Sequence, residues 1–324
     1  VDGTNNVTIT GTLTASENSI IDASNGNVSV GTLALTGDLT RSIDHDGVVN
    51  INPAESNPWL SAEGKTLTLA TADNWTVKGS ADGADHEGTG TVALTNGSEI
   101  AFRNGSYGAT GVGVAANGAA ATATLTVGNA DDAKPATLKA NVYAKASTDH
   151  QALLNVTLSD GSALGDGKEA SKITVGDEKS FDKKSQMTIV AAAGKTASID
   201  VASTTVFQDG NLTIGLANAT AETEINAQLG AVTVGAGKSE KNVGLLTIED
   251  KVKATATSAD ISGKLVVDGE FGLAEDAEGA VNLTGGYASL TTNTNRGTVT
   301  SDVTATGGAT ISVGTTGLTI NGVL

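Results

Sequence analysis

Cysteine is absent from the 324 residues. That excludes a disulfide scaffold and thiolate metal sites, and it leaves an exported or an internal location equally open. Proline occurs three times and aromatic residues make up 3 % of the chain, against 39 % hydrophobic residues in all. The core must therefore be built from small aliphatic side chains, which suits a thin, regular interior better than a thick, aromatic-anchored one. Cations are also scarce: 19 Lys and Arg stand against 36 Asp and Glu, a formal charge of −17. Binding to a phosphate backbone rests on clustered Lys and Arg, so nucleic acid is not an expected partner, and an anionic membrane surface is disfavoured on the same ground. The acidic excess serves to keep a large, apolar-cored object in solution. No apolar run approaches the roughly 18 residues of a transmembrane helix. No basic segment leads into an apolar one as in a signal peptide, and the opening at Val1 fits a processed or excised mature chain.

Helical periodicity is almost missing as well. Few segments hold apolar residues at i, i+3, i+4 and i+7, and the Ala-rich charged stretch 274–280 supports a turn of helix at most. Disorder is excluded by the many short runs of Val, Ile, Leu and Thr. Those runs share one form: aliphatic, then a small or β-branched residue, then aliphatic. Leu67-Thr68-Leu69, Val92-Ala93-Leu94, Leu125-Thr126-Val127, Val156-Thr157-Leu158 and Ile173-Thr174-Val175 are examples. The series continues with Leu212-Thr213-Ile214, Val232-Thr233-Val234, Leu246-Thr247-Ile248, Val281-Asn282-Leu283, Ile311-Ser312-Val313 and Leu318-Thr319-Ile320. Period-two alternation places the aliphatics on one face of a strand and Thr on the other. Gly128, Gly176, Gly215 and Gly235 follow such units as turn residues.

The units recur mostly about 14 to 31 residues apart, too far and too irregularly for simple hairpins. Each reads as one rung of a stack, since a rung cannot bury its apolar face alone but stacked neighbours can. The expected fold is all-β, a parallel β-solenoid of about a dozen coils or more in one domain spanning 1–324. A row of immunoglobulin-like sandwiches is the competing architecture, disfavoured by the lack of a period near about 100 residues and by the two tryptophans and three prolines. Inserted loops are expected near 50–62 (two prolines and Trp59), 80–90, 108–121 and 176–185. The Gly/Ala tract 108–121 reads either as a flexible loop or as a tight coil of small residues, and the mixed charges of 176–185 as a solvated loop.

Phrases such as Gly31-Thr32-Leu33-Ala34-Leu35-Thr36-Gly37, Ala123-Thr124-Leu125-Thr126-Val127-Gly128-Asn129 and Ala231-Val232-Thr233-Val234-Gly235 resemble the passenger regions of bacterial autotransporters and related adhesins. The likeness extends over nearly the whole chain but rests on composition and phrase rather than on one defining motif. It implies a right-handed parallel β-helix, export to the cell surface, and adhesion or scaffolding. The translocator barrel that such a passenger implies is not found within these residues.

Parallel β-helices also include polysaccharide-active enzymes, whose chemistry needs clustered catalytic groups. Each of the three histidines follows an aspartate: Asp44-His45, Asp85-His86 and Asp149-His150. Neighbours along a strand point to opposite faces, so none of these pairs makes a dyad, and all three read as solvated acidic turns. Gly-His-Gly and Arg-x-Lys are missing, and the one adjacent aspartate pair, Asp131-Asp132, lies in a turn-like phrase. There is no Gly-x-Ser-x-Gly elbow and no phosphate-cradling Gly-x-x-x-x-Gly-Lys. The segment Asp160 to Glu169 starts like a calcium loop, then places Leu164 and Ser171 where oxygen ligands are needed. No cofactor is expected; the many carboxylates leave room only for a weak calcium site. Asn-x-Ser/Thr triplets at Asn6, Asn74, Asn155 and Asn211 are of the kind such a composition produces by chance.

What remains is the ends. Val7-Thr8-Ile9-Thr10 and Leu13 enter a strand at once, and Leu318-Thr319-Ile320 with Val323 and Leu324 leave in or just after one, with no amphipathic cap at either side. Open rungs present unpaired backbone groups that invite another chain; the same ends equally fit an excised piece of a longer protein whose caps were left out. The expected function is thus a non-enzymatic extracellular structural protein of a bacterial surface, self-associating head to tail through Val7, Ile9, Leu13, Leu318, Ile320, Val323 and Leu324. An adhesin binding a host or cell-surface ligand through its loops is the alternative, and a polysaccharide-active enzyme the remote third.

Overall fold

The computed structural model describes residues 6–17, 19, 21, 26–41, 47–54, 58–69, 73–79, 84–116, 118–128, 135–179, 184–215, 223–237 and 239–324. All of its regular elements are strands apart from one 3-10 turn, Glu240–Asn242. Every strand pairing is parallel, and strands close in sequence do not pair with each other but with the strand one coil later.

One coil shows the plan. Ser185–Ala191 lies on a first face, Thr196–Asp200 on a second and Ser203–Val206 on a third. The chain then returns to the first face at Gly210–Ile214, the second at Glu224–Gln228 and the third at Ala231–Val234. The first face carries thirteen rungs in order, from Val7–Ala15 to Thr310–Ile311. This is a parallel β-solenoid with three ladders.

Its core is a set of columns running across the rungs. On the first face the column reads Val7, Val28, Val49, Trp75, Ile100, Leu125, Val156, Ile189, Ile214, Ile248, Val267. On the third it reads Leu39, Leu67, Val92, Val112, Val142, Ile173, Thr204, Val232, Ala259, Val281, Val303. Except for Val7, all of these are buried, and the one hydroxyl among them, Thr204, donates to the Leu229 carbonyl at 3.0 Å. A fully buried Val or Leu is worth about 1.5–3 kcal/mol over an exposed one, so the columns are the main favourable contribution to the stack. The apolar units singled out in the sequence fall on all three faces. That is why their spacing is irregular: a rung is one third of a coil, not a coil, and in-register partners lie from 17 residues apart (Ala254 and Phe271) to 35 (Leu164 and Ile199).

Three of the expected insertions turn out to be built into the stack. In the 50–62 stretch, Leu60–Ser61 pairs with Leu33 and Ala34, and Trp59 is fully buried. In 80–90, Asp85–His86 is a strand of the second face and His86 is fully buried, not solvated. In 108–121, Gly105–Ala115 forms an eleven-residue strand that crosses the second and third faces without a turn, followed after residue 120 by Ala121–Val127. The tract is small-sided for a packing reason: Tyr143 of the next rung lies across it, and a Cβ on Gly113 would collide with the Tyr143 backbone oxygen and ring. Around 176–185, residues 176–179 and 184 connect Lys172–Val175 to Ser185–Ala191, with Glu178, Lys179 and Lys184 exposed. Asp44-His45, Asp131-Asp132 and residues 180–183 lie outside the described residues. Asp149 and His150 occupy a turn between Ala136–Lys145 and Ala152–Leu158, where the Ser147 N–H donates to the His150 carbonyl at 2.9 Å. The calcium-loop-like segment contains the rung Ala163–Leu164, and Asp160 instead accepts from the Thr196 N–H at 3.2 Å and pairs with Lys195 at 3.6 Å. Residues 275–276 of the 274–280 stretch form a turn rather than a helix.

Candidate functional site

Two places on this stack differ from the rest. The first is the pair of outermost rungs. Among the described residues, the exposed large hydrophobics are Val7 (51 %), Tyr287 (40 %), Val313 (62 %), Val323 (70 %) and Leu324 (74 %). Val7 opens the first-face column. Val313 sits two residues past Ile311, the partner of Leu290, and so takes the same inward position on the last rung of that face. Leu324 follows suit on the third face: the Val303 N–H donates to the Val323 carbonyl at 2.8 Å, which sets Leu324 opposite Val303 in the parallel register. Ile9, Leu13, Leu318 and Ile320 are partly buried against the core, and Ile320 ends the inner column of the second face after Phe271 and Val299. The seven residues read from the sequence thus lie at the two ends of the described stack, three on the first rung and four on the last coil, where Val323 takes the outward position beside the inward Leu324. Sequence reading missed Val313, whose Ile-Ser-Val phrase looked like an ordinary interior rung.

The second place is a groove of about 690 Å³ on the outside of the corner between second and third faces. Its floor exists because Gly105–Ala115 and Ala136–Lys145 cross this corner as unbroken strands. The coil after them leaves the second face at Leu164 and enters the third at Lys172, so residues 165–171 stand up as one wall; on the other side the turn at Glu63–Gly64 and the neighbouring Glu87 form the opposite wall. Between them the pairing register jumps from Gly108–Lys139 to Gly111–Asn141, leaving Ala109 and Thr110 as a bulge in the floor. Bulges of this kind re-aim side chains and recur beside functional sites.

Beneath the floor sits the molecule's aromatic cluster. Trp59 meets Phe102 edge-on at 5.3 Å, Phe102 meets Tyr107 at 5.3 Å, and Tyr107 meets His86 at 5.5 Å between ring centroids. The Trp59 indole N–H donates to the Gly108 carbonyl at 2.5 Å, tying this plug to the groove floor. Gly88 is required by the closeness of that contact: a Cβ there would collide with the Gly108 carbonyl oxygen and the Trp59 indole. The Tyr107 hydroxyl accepts from the Gly79 N–H at 2.5 Å and donates to the Arg103 carbonyl. Burial pushes its pKa up to about 12, against the opposing pull of Gly79.

Charges of both signs line the groove: Glu63 and Glu87 on one side, Asp166, Lys168, Glu169 and Lys172 on the other, with Lys139 on the floor. Lys139 pairs with Asp85 at 2.6 Å, and this hydrogen bond, with help from Ser106, holds the Asp85 carboxyl below the usual range. The 165–171 wall is internally braced. Burial alone would raise the Asp166 carboxyl, but the Ser171 hydroxyl (2.8 Å) and the Lys168 N–H (3.2 Å) donate to it and hold it low. Lys168 also meets Asp166 at 3.4 Å. Glu63, Glu87 and Lys172 form no ion pair among the described residues.

Among the described residues no three His, Cys, Asp or Glu side chains gather in a metal-holding group, and no helix is long and apolar enough to cross a membrane. In comparisons with known proteins, no family model, no curated protein and no solved structure matches this chain.

Proposed function

We propose that this chain is a non-enzymatic structural subunit of a bacterial cell surface, a single right-handed parallel β-helix of the autotransporter-passenger kind that self-associates end to end into a filament or coat. The observation that supports the reading is the stack itself: three ladders of parallel, in-register rungs whose inward columns run from coil to coil, so that every rung is a template for another. We assign the rung that continues these ladders to a second copy in the same polarity. Such a contact is heterologous and does not close on itself, so it propagates as a fibre. In the resulting register Val313 of one copy stacks on Val7 of the next, extending the first-face column without a break.

Negative-stain electron microscopy of the native protein from its source is the first check, with uniform filaments expected. The register can be read chemically because the chain has no cysteine of its own. Adjacent rungs lie about 4.8 Å apart, within the Cα separation a disulfide spans. A mixture of Val7→Cys and Val313→Cys chains should form disulfide dimers on oxidation, while Thr8→Cys mixed with Val313→Cys should not. Separate rods with no cross-linking would overturn the filament reading, place more of the same chain over the open rungs, and leave the adhesive role ahead.

A further inference from the structure

The outer side of the first face is unlike the other two. Among the described residues, every Val, Leu or Ile at an outward strand position lies there: Val48, Leu153, Val190 and Leu245, all partly exposed, and Val266. Over the ten rungs from Asn74–Lys78 to Thr310–Ile311 its outward positions carry four charges, Lys78, Glu99, Arg103 and Lys264, and three of them are cationic. The second face instead turns Asp85, Asp200, Glu224 and Glu270 outward against Lys139 and Lys253. The third face is poor in charge but has no outward aliphatic longer than alanine, and the Tyr143 ring lies across it. In a chain of net charge −17, apolar gain and low repulsion between copies therefore coincide on the first face alone. We propose that two copies pair side by side through this face, with their axes antiparallel.

A two-fold contact needs a surface that complements itself when reversed. One outward row of the first face reads Leu153, Gln186, Asn211, Leu245 on successive rungs. Let a two-fold axis run along the strands, midway between Gln186 and Asn211. The row then lands on itself, with Leu153 opposite Leu245 and Gln186 opposite Asn211. Apolar meets apolar, and carboxamide meets carboxamide, each able both to donate and to accept. The adjacent row sets Thr188 opposite Thr213. Further out, Lys264 falls opposite Thr122 and Glu99 opposite Thr291, so these charges do not meet their own sign. Ten rungs about 4.8 Å apart, each about five residues of about 3.3 Å wide, offer roughly 700 Å² a copy. The total of about 1,400 Å² lies within the roughly 1,200–2,000 Å² of a stable interface. The contact uses none of the terminal side chains. It joins single rods into pairs and, where rods grow lengthwise, single fibres into double ones.

Small-angle X-ray scattering reads the cross-section of a rod whatever its length, and negative-stain microscopy shows its width directly. The native protein should give rods of double width. Gln186→Lys/Asn211→Lys sets lysine opposite lysine and should reduce them to single width with circular dichroism unchanged, since both side chains face outward. Gln186→Lys/Asn211→Asp sets lysine opposite aspartate and should restore the double width. Thr205→Lys/Thr233→Lys adds the same charge to the third face and should leave the native width. Single-width rods from the native protein, pairing indifferent to the two first-face lysines, or loss of pairing in the third-face variant would each overturn the proposal. Failure of Gln186→Lys/Asn211→Asp to pair would overturn the antiparallel register. Width reports this contact and length the end-to-end one, so either reading can fail without the other.

Discussion

At Gly113 a single missing side chain decides how two rungs pack. The ring of Tyr143 lies over the glycines of the neighbouring strand, and burial there pushes the Tyr143 hydroxyl up to about 12. Gly113→Ala would press against both the Tyr143 carbonyl and its ring, so the two rungs should part locally and the ring move outward, at a cost of about 1–3 kcal/mol or more for overpacking. A spectrophotometric titration should then find Tyr143 moved from about 12 back toward its ordinary value of 10. The same shift ties stability to alkaline pH. Below pH 10 both folded and unfolded chains keep the protons of Tyr107 and Tyr143; between about 10 and 12 only the unfolded chain loses them. Stability should therefore fall across that window, and Tyr143→Phe should flatten the fall in denaturant midpoints measured against pH. Glu249 acts at the other end of the scale. Burial first, then the carboxylates of Asp268 and Asp250, raise it above 4.5. Its folded form holds a proton the unfolded form releases, so it favours folding at low pH and loses that contribution as pH rises through its raised value. Glu249→Gln should raise Tm slightly at neutral pH, and the advantage should vanish near pH 4.

Whole strands were legible where both inward positions are large aliphatics. Leu125-Thr126-Val127 and Ile173-Thr174-Val175 announce themselves because only stacking can bury them. The second face was harder to see, since its rungs carry small or charged residues: Ala197-Ser198-Ile199, Ile225-Asn226-Ala227, Val252-Lys253-Ala254. An Ala at an inward position is a weak signal alone and a sufficient one beside Phe271 or Ile199 in its column. Trp59 and Asp85-His86 were misread as loop for a related reason. Their local sequence is rich in proline, glycine and acid, while the partners that bury them, Phe102, Tyr107 and Gly108, come from later coils. The groove was invisible for the same cause: its charges are contributed by four coils, and no window of sequence holds Glu63 beside Lys172. At this scale Tyr107→Phe provides the test of the buried node. It removes an acceptor from the Gly79 N–H, which retains only the longer bond to the Arg103 carbonyl at 3.2 Å. A loss of about 1–3 kcal/mol in chemical denaturation is expected; a neutral result would mean that the aromatic plug is held by packing alone.

For the whole molecule, a stack of rungs has no intrinsic length. Each coil touches only its neighbours, so stability is close to a sum of rung and interface contributions, and an added rung gains what an interior rung gains. This physics makes end-to-end association favourable wherever the open cross-sections meet, and the charge of −17 on every copy opposes it. The two effects respond oppositely to salt. Screening shortens the reach of the repulsion from about 30 Å at 0.01 M to about 8 Å at 0.15 M, while burial of Val7, Val313, Val323 and Leu324 is little affected. If the junction is an apolar continuation of the columns, light scattering should show assembly of the native protein growing faster and further as sodium chloride rises through that range. Val313→Asp, which puts a carboxylate into the inward column, should abolish growth at every salt concentration while leaving the circular dichroism of the individual rods unchanged. Assembly that weakened with salt would instead mean that the copies meet through paired charges, and the terminal valines would lose the role given to them here.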